Sequence, residues 1–125
     1  MTMMNVEYRS DCREIDWHAL KASLSADHFD NGRTAQQLQK SFENSRGICI
    51  AWHEGKVVGT ARVLSDGVCN AYLVDVWTRS DLRHRGIARA MIDLLLGDLP
   101  GQHFTFRPMR IWLSSIAAWV FRRSR

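Results

Sequence analysis

No apolar run in the 125-residue chain reaches the ~20 residues that cross a bilayer, so a transmembrane helix is not expected. The opening stretch, MTMMNVEYRSDCRE, lacks the apolar core of a secretory signal. Cysteine is sparse: Cys12, Cys49 and Cys69 are widely spaced and form no CxxC pair. An odd count at that spacing argues against a disulfide framework and against a zinc site. The expectation is a protein of the reducing cytoplasm that holds no metal. Repeats, low-complexity tracts and linkers are missing as well, which points to one domain over residues 1–125.

Positive charge is also missing from most of the chain, despite a net charge of +4. Residues 104–125 carry Arg107, Arg110, Arg122, Arg123 and Arg125 and no acid. Of 17 basic residues, 12 remain in residues 1–103, against all 13 acidic ones. A near-neutral body lacks the footprint of a nucleic-acid binder. No nucleic-acid partner is expected.

The hydrophobic pattern gives the element order. NVEYRS reads as a first strand. Trp17, Leu20 and Leu24 recur at helical spacing over residues 15–25. Thr34 with Gln37 forms a capping-box pattern, and Leu38 with Phe42 gives an apolar i, i+4 pair, so a second helix is expected over residues 35–45. The period then shortens. ICIAWHE, KVVGTARVLSD and CNAYLVDVWT, joined by EGK and SDG turns, form an antiparallel meander. A helix follows in IARAMIDLLLGDL, with Ile87, Ala90, Met91 and Leu94 on one face and Leu95 beside it. HFTF suggests a further strand and IWLSSIAAWVFRR a terminal helix. This order belongs to an α+β, mixed-sheet fold.

Between the third long strand and its helix lies LRHRGIARAM, residues 82–91. First-turn amides of a helix have no intrahelical acceptor and point outward with the positive end of the dipole. A phosphate placed there accepts several of them at once. Gly86 permits close backbone approach, Ala88 keeps the next step small, and Arg83, Arg85 and Arg89 add charge. Taken alone, the same residues also describe a solvated basic turn.

In context, the spacing Arg83-x-x-Gly86-x-Ala88 after YLVDVWTRSDL resembles the acyl-CoA signature of the GNAT superfamily of N-acetyltransferases, Gln/Arg-x-x-Gly-x-Gly/Ala. The order of elements ahead of it is similar to that family too, and the resemblance covers residues 5–103. It implies a GNAT-like fold and acetyl-CoA as co-substrate. It further implies transfer of acetyl to an amine of a small molecule or a protein. Val76, Trp77 and Thr78 would offer backbone groups to the pantetheine arm and acetyl carbonyl. The turn His84, Arg85, Gly86, Ile87, Ala88 and Arg89, preceded by Arg83, would hold the diphosphate by main-chain amides. Asp75, the one acid inside an otherwise apolar strand, reads as the base, with partial burial raising its pKa. It reads equally as a structural acid bonded to a neighbouring loop. His53 is a second candidate base. Trp17, Trp52 and Trp77 suit either an acceptor pocket or the core. Homodimerisation is left open by the resemblance.

The distal part departs from the family. A tyrosine on a helix after the motif often serves as general acid there, whereas Tyr8 and Tyr72 both precede the motif here. Residues 104–125 read as an out-of-frame version of an ordinary GNAT C-terminus. Taken from the third base of each codon into the next two, Trp119–Val120 encodes Gly without freedom. The stretch from Arg107 permits TDADLAEFYRRLGF. A natural, different tail is the alternative. On the frameshift reading, the second of two splayed parallel strands is lost. Transfer by the chain as written is then expected to be weak or absent, and the alternative function is an impaired remnant that binds CoA or a protein partner.

Overall fold

The two helices that precede the long strands are fixed locally by their caps. In the computed structural model, which describes residues 4–98 and 103–106, α1 spans Trp17–Ala26. The Asp16 side chain accepts from the Ala19 amide at 3.1 Å at its start. Helix α2, Ala35–Glu43, opens on a complete capping box. The Thr34 hydroxyl accepts from the Gln37 amide at 3.1 Å, and the Gln37 side chain accepts from the Thr34 amide at 2.9 Å. Each such cap stabilises its helix by about 1 kcal/mol. Leu20, Leu24, Leu38 and Phe42 bury the apolar stripes.

The strands are β1 Glu7–Arg9, β2 Gly47–His53, β3 Lys56–Ser65, β4 Asn70–Thr78 and β5 His103–Phe106. They lie side by side in chain order, β1 to β4 antiparallel and β5 parallel to β4. Helix α3, Ile87–Asp98, links that parallel pair. The fold is therefore mixed α/β, a meander extended by one β4–α3–β5 crossover. Both faces of the sheet are covered. On one face α3 packs Ile87, Met91, Ile92 and Leu95 against Ala51, Val58, Ala61, Val63 and Leu73. The other carries Ile48, Ile50, Trp52 and Trp77 against α1 and α2.

Two expectations are corrected here. Leu94 does not share the buried stripe of α3: it is 50% exposed, and the stripe runs through Ala88 and Ile92 instead. A helix this apolar offers several stripes, and its close seat on the sheet selects one. A Cβ on Gly59 would stand 3.1 Å from the Met91 methyl and 3.3 Å from Ile87 Cγ2. The strand expected in HFTF is present, and as His103–Phe106 it pairs in parallel with Asn70–Leu73, so the partner of β4 that the frame reading counted as lost is there. HFTF is short, but a ready edge on β4 completes it. The terminal helix, the tail apolar residues and the frame reading of residues 107–125 lie outside the described residues.

Candidate active site

The C-terminal half of β4 is irregular. Thr60 pairs with Trp77 and Arg62 with Val74, so Asp75 and Val76 together face Ala61. This is a β-bulge, and Asp75 takes its left-handed position at φ 53°. For a residue with a Cβ that conformation costs roughly 1–2 kcal/mol, so surrounding contacts must hold it. The Thr60 hydroxyl donates to the Asp75 carbonyl at 2.9 Å.

The Asp75 carboxylate, 8% exposed, is gripped by two guanidiniums. Arg33 donates through both terminal nitrogens at 2.9 and 3.1 Å, and Arg62 Nε donates at 2.6 Å. Burial is the largest single influence and pushes the Asp75 pKa up. The hydrogen bonds and charges of Arg33 and Arg62 together outweigh it and hold the pKa below the ordinary carboxylate value. The expectation of a raised pKa is therefore corrected. What the structure shows is the strand acid bonded to a neighbouring loop: Arg33 sits in the α1–α2 connection, 42 residues from Asp75. Arg33 and Arg62 are the site residues that sequence reasoning missed, since no local pattern ties them to Asp75.

The strand end is anchored separately. Asp27, the C-cap of α1, accepts from Trp77 Nε1 at 2.9 Å and from the Ser80 amide at 3.1 Å. Trp77 is fully buried, and Trp52 lies in the same core cluster, with Trp17 packed against it. His53 is tied to the Asn5 carbonyl at 2.8 Å through Nδ1. The Thr78 hydroxyl is buried and lacks a hydrogen-bond partner among the described residues.

A single 3₁₀ turn, Ser80–Leu82, leads from β4 into the basic glycine stretch. His84 has φ 67° and Gly86 φ 83°, with Arg85 between them outside the left-handed region. Alternating backbone sign turns successive amides toward one side, an arrangement that suits an anion. A Cβ on Gly86 would meet nothing within 4 Å, so its backbone borders open space. The ladder of α3 begins with the Ala90 amide donating to the Gly86 carbonyl at 3.0 Å. The amides of Ile87, Ala88 and Arg89 thus precede the first intrahelical bond. Arg85 and Arg89 are exposed beside them. Strand end, buried hydroxyl and turn are contiguous in the chain.

A groove of about 440 Å³ lies beside Arg33, between the α1–α2 connection and α2. Asn31, Gly32 and Arg33 form one wall, and Gln37, Lys40 and Ser41 the other. Among the described residues no group of three or more His, Cys, Asp or Glu side chains is placed to hold a metal ion. No described helix is long and apolar enough to cross a membrane.

Comparison with known proteins adds a family. The model of the acetyltransferase (GNAT) family matches residues 9–112. Among curated protein sequences none matches the chain. Solved structures do. A GNAT-family protein from Xanthomonas campestris pv. campestris superposes with a TM-score of 0.79 at 25% identity, over 94% of this chain and 84% of that one. Glucosamine-6-phosphate N-acetyltransferase from Arabidopsis thaliana gives 0.69 at 14% identity, over 93% and 90%. A Clostridium acetobutylicum protein assigned as an acetyltransferase, its structure determined with acetyl-CoA, gives 0.65 at 18% identity, over 95% and 88%.

Proposed function

The chain belongs to the GNAT acetyltransferase family, and from that premise we propose that it moves an acetyl group from acetyl-CoA to an amine of a small molecule or a protein. The observation that carries this reading is the turn His84–Arg89. Its left-handed glycine, its amides ahead of the Ala90–Gly86 bond and its exposed arginines suit the diphosphate of CoA. Val76, Trp77 and Thr78 offer backbone groups to the pantetheine arm. In this reading residues 1–125 act as one domain in the cytoplasm.

The thioester supplies an activated acetyl group. A neutral amine adds to its carbonyl to form the C–N bond and a tetrahedral oxyanion; collapse breaks the C–S bond, the sulfur leaves as thiolate, and the proton lost by nitrogen passes to that thiolate or to water. Our assignment for the residues is limited to positioning and charge. An amide of Val76 or Trp77, set by the bulge, donates to the developing oxyanion, a contribution of about 3–4 kcal/mol in comparable sites. Asp75, with its carboxylate occupied by Arg33 and Arg62, is a poor base and serves as a positioning residue that fixes the bulge.

A second reading, a remnant that binds CoA or a protein partner without turnover, is favoured by one observation. Within residues 1–125 both tyrosines, Tyr8 and Tyr72, precede the motif helix, whereas the family's usual proton donor to the thiolate follows it. Thermal unfolding with acetyl-CoA, run beside a CoA-release assay on a panel of amines, separates the two. A raised melting temperature with release supports transfer. A raised temperature without release supports a CoA-binding remnant, and no shift at all defeats both transfer and that form of the remnant.

A further inference from the structure

The groove beside α2 is cationic at its base. Arg33 and Lys40 line it directly. Ser41, another lining residue, offers its carbonyl to Arg62 NH1 at 3.5 Å, which places a third cation behind that wall. Against these stands Asp75, already shared between Arg33 and Arg62. The nearby Asp30 is matched by Lys21 at 3.1 Å. Positive charge is left over, and among the described residues no Asp or Glu lines the groove. Gln37 and Asn44 add amide groups that can bind carboxylate or phosphate oxygens. Arg33 is held in place before any ligand arrives: its side chain is 16% exposed, and its Nε donates to the Asp30 carbonyl at 3.1 Å. A preorganised guanidinium binds an anion without first losing its own freedom.

We propose that this groove selects acceptors, and that the amine acetylated by this chain carries an anionic group, a carboxylate or a phosphate, which lodges between Lys40 and the Arg33 edge. The inference rests on the acetyl-transfer reading and deepens it by naming the substrate class. Arg33 lines the groove and also pairs with Asp75, so one guanidinium borders both the groove and the bulge that sets the Val76 amide. An amine of the same size without an anionic group lacks that anchor.

The test uses the ¹⁵N-labelled full chain and three probes: 2-aminoethyl phosphate, β-alanine and ethanolamine. The expected result is saturable movement of the Gly32, Gln37 and Ser41 amides with the first two and none with ethanolamine. Lys40→Glu weakens the anionic probes by about tenfold, as loss of a charge-assisted contact should. Lys56→Glu, an equal charge change at the exposed start of β3, leaves them unchanged. Equal movement with all three probes overturns the inference. So does movement confined to residues 84–89, or no movement at all. A difference between 2-aminoethyl phosphate and β-alanine tells phosphate from carboxylate. A parallel titration with acetyl-CoA, read at Gly86, reports on the transfer reading separately, so that one can fail while the other stands.

Discussion

Replacing Asp75 by Asn turns one of two carboxylate oxygens into a donor that faces donors. In the native protein Oδ2 accepts from Arg33 at 2.9 Å and from Arg62 at 2.6 Å, while Oδ1 accepts from Arg33 at 3.1 Å. The substitution leaves both guanidiniums in place, only 16% and 14% exposed. Breaking a buried ion pair from one side costs about 3–5 kcal/mol, and the small residual exposure puts this case near 3. Domains of this size have about 5–15 kcal/mol in total. At roughly 3–5 °C per kcal/mol, Asp75→Asn should melt about 10 °C below the native chain. Thermal unfolding by circular dichroism at neutral pH measures this, with the CoA-release rate taken on the same samples below the transition. A catalytic base would give the opposite signature, a lost rate at an unchanged melting temperature. A shift under about 2 °C would refute the reasoning. Asp75→Gly offers a cross-check: it loses the same pairs but relieves the left-handed strain at φ 53°, so it should be about 1 kcal/mol more stable than Asp75→Ala.

The same carboxylate sets an acid limit. Its folded-state pKa lies below the ordinary value near ~3.9, so its stabilisation is full above that pH and is lost as pH falls through the folded-state value. Urea titrations below about pH 4 should show the native chain losing stability more steeply than Asp75→Asn. Gly86→Ala places a Cβ at φ 83° in open space; it should fold, lose about 1 kcal/mol in urea unfolding, and lose most of its stabilisation by acetyl-CoA. Gly59→Ala crowds Met91 and the Ala51 Cβ, 3.1 and 3.2 Å away, and should destabilise by about 1–3 kcal/mol in the same assay without altering the turn. Of the three thiols, Cys69 is exposed, while burial pushes Cys12 up to about 11 and Cys49 up to about 12. A thiol-reactive dye at pH 8 should therefore label Cys69 first.

Much of this architecture was legible because its determinants are local. Thr34 and Gln37 announce α2 by a pattern four residues long, and the capping box forms as written. Alternation in KVVGTARVLS and the tight EGK turn set the meander. The strand–turn–helix at Gly86 declares itself through one glycine at a fixed spacing, and the family match covers it. What stayed hidden depends on distance. Nothing near Asp75 signals Arg33, and without Arg33 and Arg62 burial alone would raise its pKa rather than lower it. The bulge depends on register across β3 and β4, which periodicity does not encode. Leu94 looked buried because α3 is apolar on several sides, and only the approach of the sheet at Gly59 decides which side turns inward.

Titrating the ¹⁵N-labelled chain with coenzyme A, and separately with pantetheine, which has no diphosphate, tests the main-chain anion site most directly. Coenzyme A should move the His84, Gly86, Ile87 and Ala88 amides saturably, and pantetheine should leave them still. Unmoved amides in a folded chain at saturating coenzyme A would contradict the assignment of that turn, and the acetyl-transfer reading with it.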